Sequence, residues 1–179
     1  MPQLQFLQNI NYQANNNRGW GQQSLSIFAY HVYDSISLNT MVFGVTGSGN
    51  VQCSVTFNIG IYSLTGSTLT LVNSGNTSFA QANWNNLARY IAISTWSSGS
   101  QNLLPQPWYI GFLASTIGTA PTVNAIFCEN APLGANAIAG NFLDGVYSVT
   151  TNALPGSVNT SEMGINGVTQ HPMFIIMSA

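Results

Sequence analysis

Val51-Gln-Cys-Ser-Val-Thr-Phe-Asn-Ile-Gly-Ile61 is the stretch that decides the fold class. Val51, Cys53, Val55, Phe57, Ile59 and Ile61 fall on one face of an extended chain. Gln52, Ser54, Thr56, Asn58 and Gly60 fall on the other. A side-chain period of two belongs to a strand, because successive Cβ atoms point to opposite sides of the pleat. The alternation predicts a long strand with one buried and one wet face, which is antiparallel behaviour. Cys53 takes a core-facing position in it.

The same period recurs on both sides. Leu25 to Tyr33 is rich in aromatic and branched residues, and Ile36 to Val45 has Met41, Phe43 and Val45 in phase. Thr68 to Val72 is apolar at alternate sites. Leu87 to Thr95 places Arg89, Ile91 and Ile93 on one face, and Trp108 to Ala114 groups Trp108, Ile110 and Phe112. Trp108 and Tyr109 then face opposite sides, so only one of them is expected in the core. Thr122 to Cys128, Gly145 to Thr150 and Met173 to Met177 bring the total to about nine strands.

Turn chemistry separates them. Gly47-Ser-Gly-Asn50 reads as a hairpin turn, as does Ser63-Leu-Thr-Gly-Ser67. Asn73-Ser-Gly-Asn76 and Ser97-Ser-Gly-Ser100 read as loops. Asn83 to Arg89 reads as a helical turn and Ala131 to Asn141 as a long loop. Many short strands with regular turns predict an all-β sandwich or barrel. Met1 to Gly21 is Gln/Asn-rich with few core candidates and reads as an extended N-terminal arm that orders against a neighbour. The domain proper then covers residues 22–179. No linker or internal repeat divides it.

Composition bounds the function. The 179 residues are 45% hydrophobic but only 3% charged, against roughly 25% in typical soluble domains. The charged residues are Arg18, Asp34, Arg89, Glu129, Asp144 and Glu162, for a net charge of -2. The remaining surface is therefore built of neutral hydrogen-bonding groups. Self-repulsion is weak, which suits a protein docked to copies of itself or to a scaffold. Two basic residues cannot neutralise a run of phosphates or form a polybasic membrane patch, so no nucleic acid and no membrane is expected as partner. No segment reaches the ~18 consecutive apolar residues of a membrane span. Met1 to Ile10 lacks the basic and apolar regions of a signal peptide, and the chain reads as a complete small gene product.

Catalytic chemistry has few candidates. His31 and His171 are the available general bases, and neither stands in a triad motif. His31 lies near Asp34, an arrangement that also suits an ordinary hydrogen-bonded histidine. The four acids are widely separated, so no glycosidase pair is evident. Two Cys and two His far apart do not form a zinc set, and Gly47-Ser-Gly49 lacks the Lys and helix of a phosphate cradle. No catalytic residue, metal or cofactor is expected. Cys53 and Cys128 either pair or remain free buried thiols; their spacing does not decide. Asn76-Thr-Ser78 and Asn159-Thr-Ser161 match the glycosylation sequon, as chance allows in so Asn-, Ser- and Thr-rich a chain.

Trp20, Trp84 and Trp96 lie in or beside Asn/Ser-rich segments. They are candidates for stacking on a glycan or for packing at an interface, where aromatic residues are enriched. Arg89, a charge within a strand, is the fourth candidate contact residue. It either meets a carboxylate of a neighbouring subunit or points to solvent.

From Ser24 to about Phe127 the pattern resembles a β-sandwich domain of tailed-phage particle proteins. The resemblance rests on Ile27-Phe-Ala-Tyr30, on Phe57-Asn-Ile-Gly-Ile-Tyr62 with the turn at Thr65-Gly66, and on Leu104-Pro-Gln-Pro-Trp-Tyr-Ile-Gly-Phe112 followed by Thr119-Ala-Pro-Thr122. These motifs are structural rather than chemical. The resemblance implies an antiparallel β-sandwich of jelly-roll type and a place in a virion. Two functions follow from it. One is a capsid decoration (cement) protein, a homotrimer bound to the major capsid protein. The other is the receptor-binding tip of a tail fibre or spike, recognising cell-surface glycan. The absence of a long fibre shaft favours the first.

Overall fold

The computed structural model describes residues 4–6, 16–19, 24–47, 53–81, 88–117, 124–130, 145–163, 170–172 and 174–177. Among them the chain is all-β, with fifteen strands and a single short 3-10 turn at Thr160–Glu162. The strands are β1 (Leu4–Phe6), β2 (Asn16–Gly19), β3 (Ser24–His31), β4 (Ile36–Leu38), β5 (Thr40–Gly47), β6 (Cys53–Thr65), β7 (Thr68–Gln81) and β8 (Ala88–Ile93). They continue as β9 (Gln101–Leu103), β10 (Pro107–Ile117), β11 (Asn124–Asn130), β12 (Gly145–Ser148), β13 (Ser157–Asn159), β14 (Gln170–Pro172) and β15 (Phe174–Met177).

Every pairing among the described strands is antiparallel. A six-stranded sheet runs β12-β3-β10-β6-β7-β13. A seven-stranded sheet is organised around β5. Phe43 is flanked by Ile91 of β8 and Phe174 of β15, and Val45 by Arg89 of β8 and Ile126 of β11. Thus β8 takes one edge of β5, while β15 and β11 share the other. β1 pairs beyond β15, and β2 and β14 pair with β11. β4 and β9 form a two-stranded sheet of their own.

The largest core cluster draws on all three sheets. Phe28, Phe57, Ile59, Ile61, Ile110 and Phe112 come from the six-stranded sheet, Met41, Phe43, Ile91, Ile93 and Ile176 from the seven-stranded one, and Ile36, Leu38 and Leu103 from the small one. Phe43 meets Phe57 and Phe112 edge-on, with ring centroids 5.4 and 5.5 Å apart. Edge-to-face geometry sets the positive ring rim against a negative face, and each such ring buries enough area to contribute about 2–3 kcal/mol.

The face of Val51 to Ile61 expected to be wet is partly exposed at Thr56 and Asn58 but covered at its end. Gly60 and Tyr62, which alternate with Phe57, Ile59 and Ile61, are buried on the opposite side. There a second cluster gathers Leu25, Ile27, Ala29, Tyr62, Leu69, Tyr109 and Leu113 beneath Val149, Val158 and Met163. The segment 149–163 thus covers the outer face of the six-stranded sheet. For the same reason Trp108 and Tyr109 are both buried, one in each cluster. A strand covered on both sides hides its small and aromatic residues as well as its aliphatic ones, and period-two reading alone cannot detect the cover.

The cover is fastened by a few polar bonds. Leu71 N–H donates to the Gly156 carbonyl at 2.9 Å, and Thr160 N–H donates to the Ser67 carbonyl at 2.8 Å. Asn159 Oδ1 accepts from Ser161 N–H and caps the 3-10 turn. Tyr62 O–H donates to the Pro155 carbonyl at 3.1 Å. The Tyr62 ring lies over Gly60 and Gly111, which face each other across β6 and β10. A Cβ at either glycine would come within 2.6 or 2.7 Å of Tyr62 Cε2. These glycines open the space that the ring fills.

Other expectations change as well. The turn at Thr65-Gly66 is confirmed as a tight reversal, with Thr65 opposite Thr68 and Gly66 at φ 60°. Gly47-Ser-Gly-Asn50 is not a hairpin: β5 ends at Gly47 in one sheet and β6 begins at Cys53 in the other. Asn73-Ser-Gly-Asn76 is not a loop but the middle of β7, paired with Ile61 to Asn58. Ile36 to Val45 is two strands, because the chain changes sheets at Asn39. Arg89, placed in the expected helical turn, lies in β8; residues 82–87 and the loop expected at Ala131 to Asn141 lie outside the described residues. The described parts of the N-terminal arm, β1 and β2, pair within this chain rather than standing apart from it. Gln- and Asn-rich segments can do this because the ladder uses backbone groups, whatever the side chains. Cys53 lies in the six-stranded sheet and Cys128 in the seven-stranded one.

Candidate functional site

The site is built on an irregularity of β7. Between Ile61 and Tyr62 the register with β6 shifts by one residue, so that Ile61 faces Asn73 while Tyr62 faces Leu71. Such a bulge redirects the strand beyond it. Asn73, directly after the bulge, is only 1% exposed. Its Oδ1 accepts from Ser74 N–H at 2.9 Å, Ser97 Oγ–H at 3.1 Å and Ser98 N–H at 3.1 Å. Its Nδ2 donates to the Gly99 carbonyl at 3.0 Å. A buried amide satisfied at both ends fixes its surroundings, since losing any bond strands a polar group away from water.

What Asn73 fixes is the loop from Trp96 to Ser100. Ser97 N–H donates to the Ser74 carbonyl, and Gly99 turns the loop at φ 71°, donating its N–H to the Trp96 carbonyl. Gly75 forms an isolated bridge with Trp96. A Cβ on Gly75 would lie 2.5 Å from Ile93 and 3.1 Å from Trp96 Cε3, so the close approach requires glycine. Trp96 Nε1–H donates to the Asn39 carbonyl at 3.0 Å, joining this loop to the β4–β5 junction.

A hollow of about 380 Å³ opens beside that junction. Asn39, Thr40, Ser94, Thr95, Trp96, Gly99 and Ser100 line it. Every lining residue is neutral. They offer hydroxyls, an amide, backbone groups and one indole, but no side chain that exchanges a proton near neutral pH. The arrangement can bind through hydrogen bonds and contact. The lining residues include no His, carboxylate, Lys or Cys that would activate one of these hydroxyls.

The chain matches no protein-family model, no curated protein and no solved structure.

Of the four candidate contact residues, Trp96 is the one whose side chain the structure places. It belongs to the main core, 6% exposed, with its indole N–H bonded internally, so it presents an edge rather than an open stacking face. Arg89 is placed by its backbone alone, opposite Val45. Trp20 and Trp84 lie outside the described residues. His31 ends β3 opposite Pro107, and Asp34 is exposed in the bend that follows. His171 is the strand partner of Glu129. Glu162 is exposed in the 3-10 turn, and Asp144 lies outside the described residues. Among the described residues no three of His, Cys, Asp and Glu gather as a metal site would require.

Asn39, Thr40 and Asn73 escaped sequence reading. Asn73 sits in a stretch whose residue types also suit a loop. Only the length of its pairing with β6 distinguishes the two. Tyr62 is a titratable group buried in the second apolar cluster. Burial holds its phenol well above the usual range, so it stays a neutral hydrogen-bond donor. It fastens the cover segment and lies away from the hollow's lining residues.

Proposed function

We propose that this chain is a non-enzymatic virion structural protein of a tailed bacteriophage, a capsid decoration (cement) protein that stabilises the head shell. Its fold, on this reading, is an antiparallel β-sandwich of jelly-roll type. The observation that carries the proposal is the surface: 3% charged residues over the whole chain, with Ser, Thr, Asn and Gly occupying most exposed positions of the described strands and turns. Such a surface does not repel its own copies and gains little from ionic contacts. It suits permanent docking through buried area, ~1,600 Å² or more per contact, repeated over many sites. The protein acts as a homotrimer on the major capsid protein, and neither step requires a reacting group.

The strand pattern of Phe57 to Tyr62 and Trp108 to Phe112 supports the phage setting. In the structure these residues form the doubly covered centre of the six-stranded sheet. A rigid centre of this kind suits a protein that bears load.

The test is the protein's position and copy number on intact particles, by cryo-electron microscopy or by labelling with an antibody. Many copies spread over the shell are expected. A few copies confined to the tail tip would overturn the proposal in favour of a receptor-binding tip. Deleting residues 1–20 is a weaker test, because it removes β1 and β2 from the chain's own sheet along with any docking segment.

A further inference from the structure

We propose that the hollow beside Trp96 binds a neutral saccharide unit. The inference concerns the hollow alone and holds whether the protein sits on a shell or at a tail tip. Three observations carry it. The hollow measures about 380 Å³, within the range of small-ligand sites. Hydroxyl or amide side chains come from Asn39, Thr40, Ser94, Thr95 and Ser100, with no charge among the lining residues. The loop that forms one wall is held from below by the buried Asn73, through bonds to Ser97, Ser98 and Gly99.

The chemistry follows from these features. A polyhydroxylated ligand exchanges hydrogen bonds with water for hydrogen bonds with hydroxyls and amides, and neutral partners keep desolvation small on both sides. An anion would lose hydration with no cation to replace it, which disfavours charged sugars and phosphates. An apolar ligand would leave the lining hydroxyls unpaired. Trp96 offers only the edge of a ring that is 6% exposed, so hydrogen bonds carry most of the recognition. Its indole N–H is already bonded to the Asn39 carbonyl, so the ring adds no orphaned donor to the hollow. Because Asn73 fixes the loop in advance, the ligand does not have to order it, and even a small contact area yields measurable binding.

The test is NMR titration of the whole isotopically labelled protein with glucose, galactose and N-acetylglucosamine, each up to about 50 mM, alongside sialic acid as the charged control. At least one neutral sugar is expected to shift the Trp96 indole N–H and the Thr95 and Ser100 amides, with Kd near the millimolar range. Sialic acid should leave them unmoved. Ser100→Tyr, which fills the hollow from the exposed loop, should weaken that binding at least tenfold while leaving the Tyr62 region of the spectrum unchanged. Thr40→Val, which removes one hydroxyl at nearly constant volume, should weaken it several-fold. Absence of shifts with all three neutral sugars would overturn the proposal. So would shifts scattered over the surface, equal shifts with sialic acid, or binding that survives Ser100→Tyr in a folded protein.

Discussion

At the scale of single residues, Tyr62 shows how strand composition is set by what lies above the strand. Its ring occupies the space left by Gly60 and Gly111, and its hydroxyl reaches over to the Pro155 carbonyl. Gly60→Ala and Gly111→Ala are each expected to cost about 1–3 kcal/mol in urea unfolding, the range for overpacking a core. In a Tyr62→Ala background the added cost of Gly60→Ala should shrink, because the nearest clash is gone and only the flexible end of Leu71, 2.9 Å away, has to shift; equal costs in both backgrounds would refute the account. Tyr62→Phe keeps the ring and loses the bond, for about 1 kcal/mol. The phenol also gives a pH signature. Its folded pKa is raised, so the unfolded chain ionises first, and the wild-type protein should lose stability as pH climbs above about 10. Tyr62→Phe should remove this component of the alkaline loss, as thermal melts from pH 8 to 11 would show. Asn73→Ala leaves three donors and one carbonyl to find new partners, with an expected cost of about 2–3 kcal/mol by the same unfolding assay.

At the scale of elements, β7 separates two readings of one stretch. If Asn73 to Asn76 were a loop, its amides would exchange freely. As part of a strand paired with β6, amides between Ser74 and Ser78 that point into the ladder should be protected in hydrogen-exchange NMR, with protection factors on the order of 10³ or more. Strand existence was legible wherever alternation ran long, as in Phe57 to Ile61 or Trp108 to Phe112. Strand partnership was not, because alternation shows which side is apolar and never which neighbour supplies the ladder. That is why Gly47 to Asn50 read as a hairpin although β5 and β6 belong to different sheets. Asn73-Ser-Gly-Asn76 failed for a different reason. Those residue types favour turns when local energy decides, but here long pairing and the packing of Gly75 on Trp96 outweigh local preference. The hollow was less legible still, since Asn39 and Thr40 meet the connection from Ser94 to Ser100 only after two segments distant in sequence converge.

At the scale of the whole molecule, stability rests on two apolar clusters and on neutral hydrogen bonds, with very little charge to modulate it. Changing NaCl from 0.05 to 0.5 M should therefore alter the unfolding free energy by less than about 0.5 kcal/mol, a bound that urea titrations at the two concentrations would test. Among the described residues the large apolar side chains most exposed are Tyr33, at 75%, and Tyr90, at 70%. Tyr90 projects from β8 opposite Gly44, on the side away from the core that Ile91 and Ile93 enter.

The pairing of β1 with β15 sets an order of events in time. Leu4 lies opposite Met177, so the first described strand finds its partner only in the last. During synthesis Leu4–Phe6 waits for this partner until the chain through Met177 has emerged. β5 likewise waits for Phe174–Met177 to complete the first half of its second edge. Contacts so distant along the chain are slow to form, because a long loop must close before any bond repays its entropy. The six-stranded sheet contains the tight β6–β7 reversal and is free to assemble while the seven-stranded sheet is still missing its final strand. A nascent chain of this protein therefore carries one sheet incomplete until Phe174–Met177 has emerged, and the arrival of that strand is the event that closes it.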